Sequence, residues 1–233
     1  MDSDGRQLVA TMPLHAITLT YGEQGLRARF AAEVEAWPGP DRERLERALD
    51  LAARLHAADR REREPYVNHL LRVAIRVMSH YGVRDADVAC AALLHDAVED
   101  HAAELAGGDR EAALAALAAG FGPRVAELVG AVTNPEYAPG RDPHEQYREH
   151  VAESLRAHPW ARVIKASDFT DNGVGLIHST GPRLRKLAGK YAPLVPVLRE
   201  LIALPDTPLD ARVRERILAQ LDRAAERFAA VLA

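Results

Sequence analysis

Apolar residues recur at three- and four-residue intervals along most of this chain, in runs separated by prolines, glycines and clusters of charge. That period places one apolar stripe on a helix. The first twenty residues lack it and read as a tail or a short extended segment. Residues 22–36 predict a short helix that stops at Trp37-Pro38-Gly39-Pro40. Asp41 caps a helix to about Asp59, with Leu45, Leu49, Ala52 and Leu55 or His56 on its apolar side. Arg60 to Glu64 is a charged connector. Pro65 suits the first turn of a helix that carries His69, Leu70, Val73, Ala74 and Val77 to about Tyr81. Gly82 ends it, and Asp85 starts the next.

Past Gly107-Gly108, Asp109 begins an alanine-rich helix to Gly120, and Phe121-Gly122-Pro123 opens another with Val125, Leu128, Val129 and Val132. Residues 134–143 are irregular, with three prolines and a glycine. Helices follow at about 144–157, 161–174, 183–203 and 209–231, divided by Pro159, Thr180-Gly181-Pro182 and Pro205 to Pro208. Leu194, Val197, Leu198 and Leu201, with Leu218, Leu221 and Ala225, form core or homodimer stripes. No stretch alternates as a strand does. The expected fold is all-α and a single domain. It has an N-terminal segment over 1–40, a core over 41–180, and C-terminal helices over 181–233 packed on that core.

Composition narrows the function. The chain has 233 residues, 48% of them apolar and 5% aromatic, which suits a full core of closely packed helices. A net charge of -4 argues against a nucleic-acid binder while leaving room for a local nucleotide site. Cys90 is the only cysteine, which excludes an intrachain disulfide and a thiolate zinc cluster. Between Ala89 and Ala91 it reads as a small core residue. Acidic residues near the start, with Pro13 and His15 interrupting Leu8 to Leu19, do not make a signal peptide. No run approaches the roughly 20 apolar residues that span a bilayer. The expectation is a cytoplasmic protein without membrane or nucleic-acid partners.

Candidate chemistry concentrates in Leu94-His95-Asp96-Ala97-Val98-Glu99-Asp100. On a helix, residues four apart share a face, so His95 stacks near Glu99 and Asp96 near Asp100. An imidazole with carboxylates can hold a divalent metal and manage protons. His69 supplies a second imidazole near a helix start. Asp168 ends the apolar run Val163-Ile164-Lys165-Ala166-Ser167, with Asn172 four residues later. Such a nitrogen and oxygen donor set suits manganese, iron, zinc or magnesium rather than a thiophilic metal.

The ordered pattern His69, His95-Asp96, Asp168 resembles the HD-domain phosphohydrolases. It is most similar to the hydrolase domain of the RelA/SpoT alarmone enzymes and their small single-domain relatives. The carriers are Leu51 to His56, Glu64-Pro65-Tyr66-Val67-Asn68-His69, Ala91 to Asp100, Phe121-Gly122 with Val125 to Val129, and Lys165 to Asn172, across roughly residues 48–175. The resemblance makes residues 41–180 an HD hydrolase core. It implies a metal, usually manganese, held by His69, His95, Asp96 and Asp168, with Glu99 and Asp100 as catalytic groups that position or activate water. It also implies a small phosphorylated nucleotide as substrate, contacted by Arg61, Lys165 and Asn172, and (p)ppGpp 3′-pyrophosphohydrolase activity. The alternatives are a phosphatase for a nucleotide cofactor of the NADPH kind and a non-catalytic nucleotide sensor.

Three departures bear on the substrate. Arg63 precedes Glu64 where the alarmone enzymes commonly carry Gly, and the basic loop is one residue shorter, so either Arg60 or Arg61 can serve there. Phe169 follows the metal aspartate in place of Arg or Lys. His101 replaces the usual Thr after Glu99-Asp100. His56 is expected to pack beside the site or to lie behind its ligands. His144, His150, His158 and His178 read as surface or helix-end residues.

Overall fold

The stripes fold as helices in a computed structural model that describes residues 9–61, 64–173, 175 and 182–233. Glu62, Arg63, His178 and the Thr180-Gly181 break lie outside the described residues. In order come α1 (Leu14–Val34), α2 (Gly39–Leu55), β1 (Arg60–Arg61), β2 (Glu64–Pro65), α3 (Val67–Ile75), α4 (Ala86–Leu94), α5 (Ala97–Ala106), α6 (Arg110–Phe121) and α7 (Pro123–Val132). Then follow α8 (Pro143–Ala157), α9 (Pro159–Asn172), α10 (Pro182–Tyr191), α11 (Leu194–Ala203) and α12 (Ala211–Leu232). Among the described residues the fold is all-helical apart from one two-stranded pair, with a π-helical turn at Arg76–His80 after α3. Contacts divide the chain into two compact units, Met1–Gly130 and Ala131–Ala233.

In the first unit α3 and α4 are the buried centre. Every residue of α3 is buried, as is α4 from Val88 to Leu94. α1 packs on α3, α2 on α4, and α5 on α6. Asp85 caps α4 by accepting from the Asp87 and Val88 amides at 3.1 and 3.3 Å. Arg124 reaches Asp85 and Asp87 at 2.8 and 3.2 Å, and Arg44 bridges Asp87 to the Phe121 carbonyl at 2.5 and 2.7 Å. These bonds hold the start of α4, and so the register of its far end. Among the described residues, no helix is long and apolar enough to cross a membrane.

Several sequence expectations change. The helix expected from Asp41 to about Asp59 runs Gly39–Leu55 with Pro38 at its N-cap, and the one expected to about Tyr81 starts at Val67 and passes into a π-helical turn over Arg76–His80. A helix is present before residue 20 although no apolar period marks it, since α1 starts at Leu14. Gly22 takes φ 58°, ψ −146° and shifts the phase between Leu14-Ile17 and Leu26-Phe30-Val34, so no single stripe runs through. The charged connector contains an antiparallel pair, Arg60 opposite Pro65 and Arg61 opposite Glu64, too short to show alternation. The helix expected over 183–203 is interrupted at Ala192-Pro193, since proline cannot continue the amide ladder. Finally, the helix expected to run through His95 and Asp96 breaks there, and α5 begins at Ala97.

The second unit is built from α8 to α12, with α11 packed on α8, α9 and α12. Leu194, Leu198, Leu201 and Leu221 are buried in it, so these stripe positions are core. Arg162 is buried, and its guanidinium is met by the Leu155 and Arg156 carbonyls, Thr207 and Asp206. A charge taken out of water persists only with partners of this kind. Phe169 packs edge-on against Tyr191 and Phe228 with ring centroids 5.8 and 6.5 Å apart. A Cβ on Gly173 would stand 2.7 Å from that ring, so glycine is required beneath it.

Candidate metal centre

The β1–β2 pair delivers Tyr66 to the start of α3. The Glu64 carboxylate accepts from both terminal nitrogens of Arg72 at 2.8 and 2.7 Å and from Asn68 Nδ2 at 3.0 Å, pinning the strand pair to the first turns of α3. His69 lies one turn in, fully buried. His95 and Asp96 occupy the turn between α4 and α5. The ring centroids of His69 and His95 are 5.2 Å apart at an interplanar angle of 62°. Their Nε2 atoms lie 3.6 and 3.2 Å from one oxygen, Asp96 Oδ2. Tyr66 donates its hydroxyl to that same oxygen at 2.8 Å. Burial, then Asp96, pushes the Tyr66 pKa far up, so it is a proton donor at any ordinary pH.

These side chains fit a divalent cation. His95 Nδ1 stands 2.9 Å from the Ala92 carbonyl, which can only accept, so Nδ1 carries the proton. Nε2 is then the nitrogen left to serve as a ligand, and it faces a carboxylate oxygen 3.2 Å away. Two acceptors at that distance need a proton or a cation between them. A backbone carbonyl that fixes the tautomer is the usual support for a metal-binding imidazole.

α5 places the acidic pair beside this group. The Asp100 amide donates to the Asp96 carbonyl at 3.0 Å, so Asp96 and Asp100 share one helical turn, as the spacing predicted. His95 falls before the break and packs with His69, so the expected pairing of His95 with Glu99 on one continuous helix does not apply. Glu99 and Asp100 are exposed. Partial loss of water, then the carboxylates of Asp96 and Glu99, pushes the Asp100 pKa up to about 6. An open pocket of about 350 Å³ is lined by Asp59, Arg60, Tyr66, Asp100 and His101. Arg60 is on its wall, while the Arg61 guanidinium lies 5.1 Å over the Tyr66 ring.

The second unit carries the other three predicted residues together on α9. Asp168 is buried, with Lys165 Nζ donating to Oδ2 at 2.9 Å and Asn172 Nδ2 donating to Oδ1 at 2.5 Å. Lys165 also lies 5.6 Å from the Tyr147 ring. Lys165 and Asn172, two of the three residues expected to contact substrate, therefore hold the carboxylate expected to bind metal. Phe169 points into the core of its own unit and presents no surface to a base.

Sequence reasoning passed over two features. One is the Tyr66 hydroxyl on Asp96, although Pro-Tyr sits inside the quoted motif. The other is a meeting of His56, Asp59 and His101, three donors grouped within one small volume. Its only sequence signal is His56 three residues before Asp59, with His101 as a departure from the expected threonine.

The chain matches the HD domain family over residues 48–160, a span that includes His69, His95, Asp96, Glu99 and Asp100 and stops before Asp168. It is 35% identical over 134 residues to guanosine-3′,5′-bis(diphosphate) 3′-pyrophosphohydrolase MESH1 of Homo sapiens, covering 56% of this chain and 68% of that protein. The chain belongs to the HD-domain phosphohydrolases of the RelA/SpoT type. The mouse MESH1 is 34% identical over the same shares. A solved structure described as a metazoan ortholog of SpoT that hydrolyses ppGpp is similar, with a TM-score of 0.59 and 26% identity. The match covers 79% of this chain and 94% of that one.

Proposed function

We propose that this HD-domain phosphohydrolase removes the 3′-pyrophosphate of guanosine 3′,5′-bis(diphosphate), giving GDP and pyrophosphate. The observation that carries the reading is the turning of His69 and His95 onto Asp96, beside two acids, in a chain 35% identical to a hydrolase of that substrate. Balanced chemistry needs one water. Its oxygen bonds to the phosphorus carried on the ribose 3′ oxygen, the bond to that oxygen breaks, and the oxygen leaves with a proton.

His69, His95 and Asp96 are the proposed metal ligands, with Asp168 as the fourth on the order of the motif, and manganese as the metal. When bound, such a cation polarises a phosphoryl oxygen and acidifies water. The chain's own groups do the rest. Tyr66 holds Asp96 Oδ2 in place through its hydroxyl. Glu99 orients the attacking water. Asp100, one helical turn from Asp96 and lining the pocket, is the group placed to take the proton. Arg61 and Arg60 supply positive charge for the phosphates and the guanine base, and Asn172 and Lys165 hold Asp168 for its role. The protein would meet this nucleotide in the cytoplasm. Phe169, buried against Tyr191 and Phe228, is a core residue, so this departure from the alarmone pattern does not by itself argue for a nucleotide-cofactor substrate.

The test is product identity. Purified protein reconstituted with manganese is given the tetraphosphate and, separately, NADPH, with nucleotides resolved by chromatography. GDP and pyrophosphate in equal amounts support the reading; turnover of NADPH alone contradicts it.

A further inference from the structure

We infer that His56, Asp59 and His101 form a second divalent-cation site on the wall of the pocket, with a two-histidine, one-carboxylate donor set. The inference does not depend on the substrate or on the reaction. All three residues lie in the first unit.

Local structure brings them together. His56 is the C-cap of α2, and the chain turns so that the Asp59 amide donates to the His56 carbonyl at 3.1 Å. Within α5 the backbone leaves helical values at His101 (φ −135°, ψ 31°). The His101 ring meets His56 edge-on, with centroids 4.4 Å apart. Asp59 Oδ2 lies 2.7 Å from His56 Nδ1 and 2.7 Å from His101 Nε2, and the two nitrogens are 3.2 Å apart. A triangle of this size has a point about 2.1 Å from all three corners, the length of a bond from a first-row cation to imidazole or carboxylate.

What surrounds the triangle also suits a metal. His101 Nδ1, the nitrogen turned away from it, stands 3.3 Å from the Glu104 carboxylate. A carboxylate behind a ligating histidine raises its basicity. Tyr66 stacks on the His56 ring at 4.7 Å with planes 10° apart, holding it in orientation. His56 is buried, which lowers its pKa and keeps the ring neutral, as a ligand must be. Asp59 and His101 line the open pocket, so a cation has an entry path and room for further oxygen ligands on that side. Donors of this kind select zinc, iron, cobalt or nickel over magnesium and calcium.

Without a metal the same atoms hold protons. Both nitrogens then donate to Asp59 Oδ2, and, against the lowering effect of burial, the carboxylates of Asp59 and Glu104 push the His101 pKa up. Metal binding must displace those protons, so the two states are distinguishable by counting metal.

The probe is cobalt(II), added to protein stripped by a chelator, with bound metal counted after desalting and the visible d–d bands recorded. Wild type is expected to hold two equivalents. Asp59→Asn and His101→Thr are each expected to hold one, and Asp96→Ala also one, with a different residual spectrum. Asp59 is partly exposed, and its asparagine variant is isosteric, so loss of metal there does not arise from unfolding; circular dichroism checks this. Wild-type protein that binds one equivalent, lost in Asp96→Ala and kept in Asp59→Asn, overturns the second site and leaves the first. Two equivalents retained in both Asp59→Asn and His101→Thr overturn it as well.

Discussion

Around Tyr66 the first unit holds two histidine groups of the same donor chemistry but different construction. His69 and His95 sit in the fully packed α3–α4 layer, and a backbone carbonyl fixes the His95 ring. Their carboxylate, Asp96, occupies the turn after α4, with the Tyr66 hydroxyl on one oxygen. His56 and His101 come from a helix end and a bend in α5, and their carboxylate, Asp59, lies on an open pocket wall. One group is set by core packing and helix register, the other by a turn and a bend. Enclosure therefore separates the proposed reaction centre from the proposed accessory site.

Breaking the enclosed group has the largest expected effect. His95→Ala lowers pyrophosphate release by at least about 1,000-fold, because several kcal/mol of charge stabilisation goes with the metal. His101→Thr keeps the rate within about fivefold. Equal losses in the two variants would merge the groups into one functional unit. Tyr66→Phe comes next: it removes the hydroxyl from Asp96 but keeps the ring stacked on His56. Metal affinity at the enclosed group falls about 10- to 100-fold, the usual cost of removing a partner behind a ligand. Cobalt held by the open group is unchanged. Isothermal titration of singly occupied variants reads both.

Asp100 gives a smaller, pH-dependent effect that sharpens the contrast. Its pKa in the folded, metal-free protein is about 6, above the ordinary 3.8, since pocket desolvation and then Asp96 and Glu99 disfavour the charge. Between those values the folded state binds more protons than the unfolded one, so stability falls as pH rises from about 4 to 6. Asp100→Asn removes that penalty. The variant is expected to melt higher than wild type above pH 6 and at the same temperature below about pH 4. A gain at every pH would point to packing instead. The smallest effect is expected at the pocket rim, where Arg61→Ala raises KM by about threefold to tenfold with little change in kcat, as removal of a substrate-binding charge does.

Much of this was legible from residue pattern. The helical period located the helices of the core, and the order of His69, His95-Asp96 and Glu99-Asp100 located the enclosed group, because those residues sit where helices start and stop. Where a local bend resets the phase, the pattern was blind. Gly22 hid the first helix, Pro193 divided another, and the break at Asp96 redirected His95 from Glu99 to His69. The open group was illegible for a further reason. His56 and His101 are far apart in sequence and meet through a turn and a bend, neither of which has a period. Phe169 looked like a change of substrate pocket because it stands next to Asp168, yet adjacent residues on a helix face different ways, and it fills a core.

The most direct test of the central claim is the fate of guanosine 3′,5′-bis(diphosphate) on manganese-loaded protein, wild type beside Asp96→Ala, followed by phosphorus NMR. The expected result is pyrophosphate and GDP from wild type and intact substrate from the variant. Pyrophosphate released at a similar rate by both proteins would contradict the account.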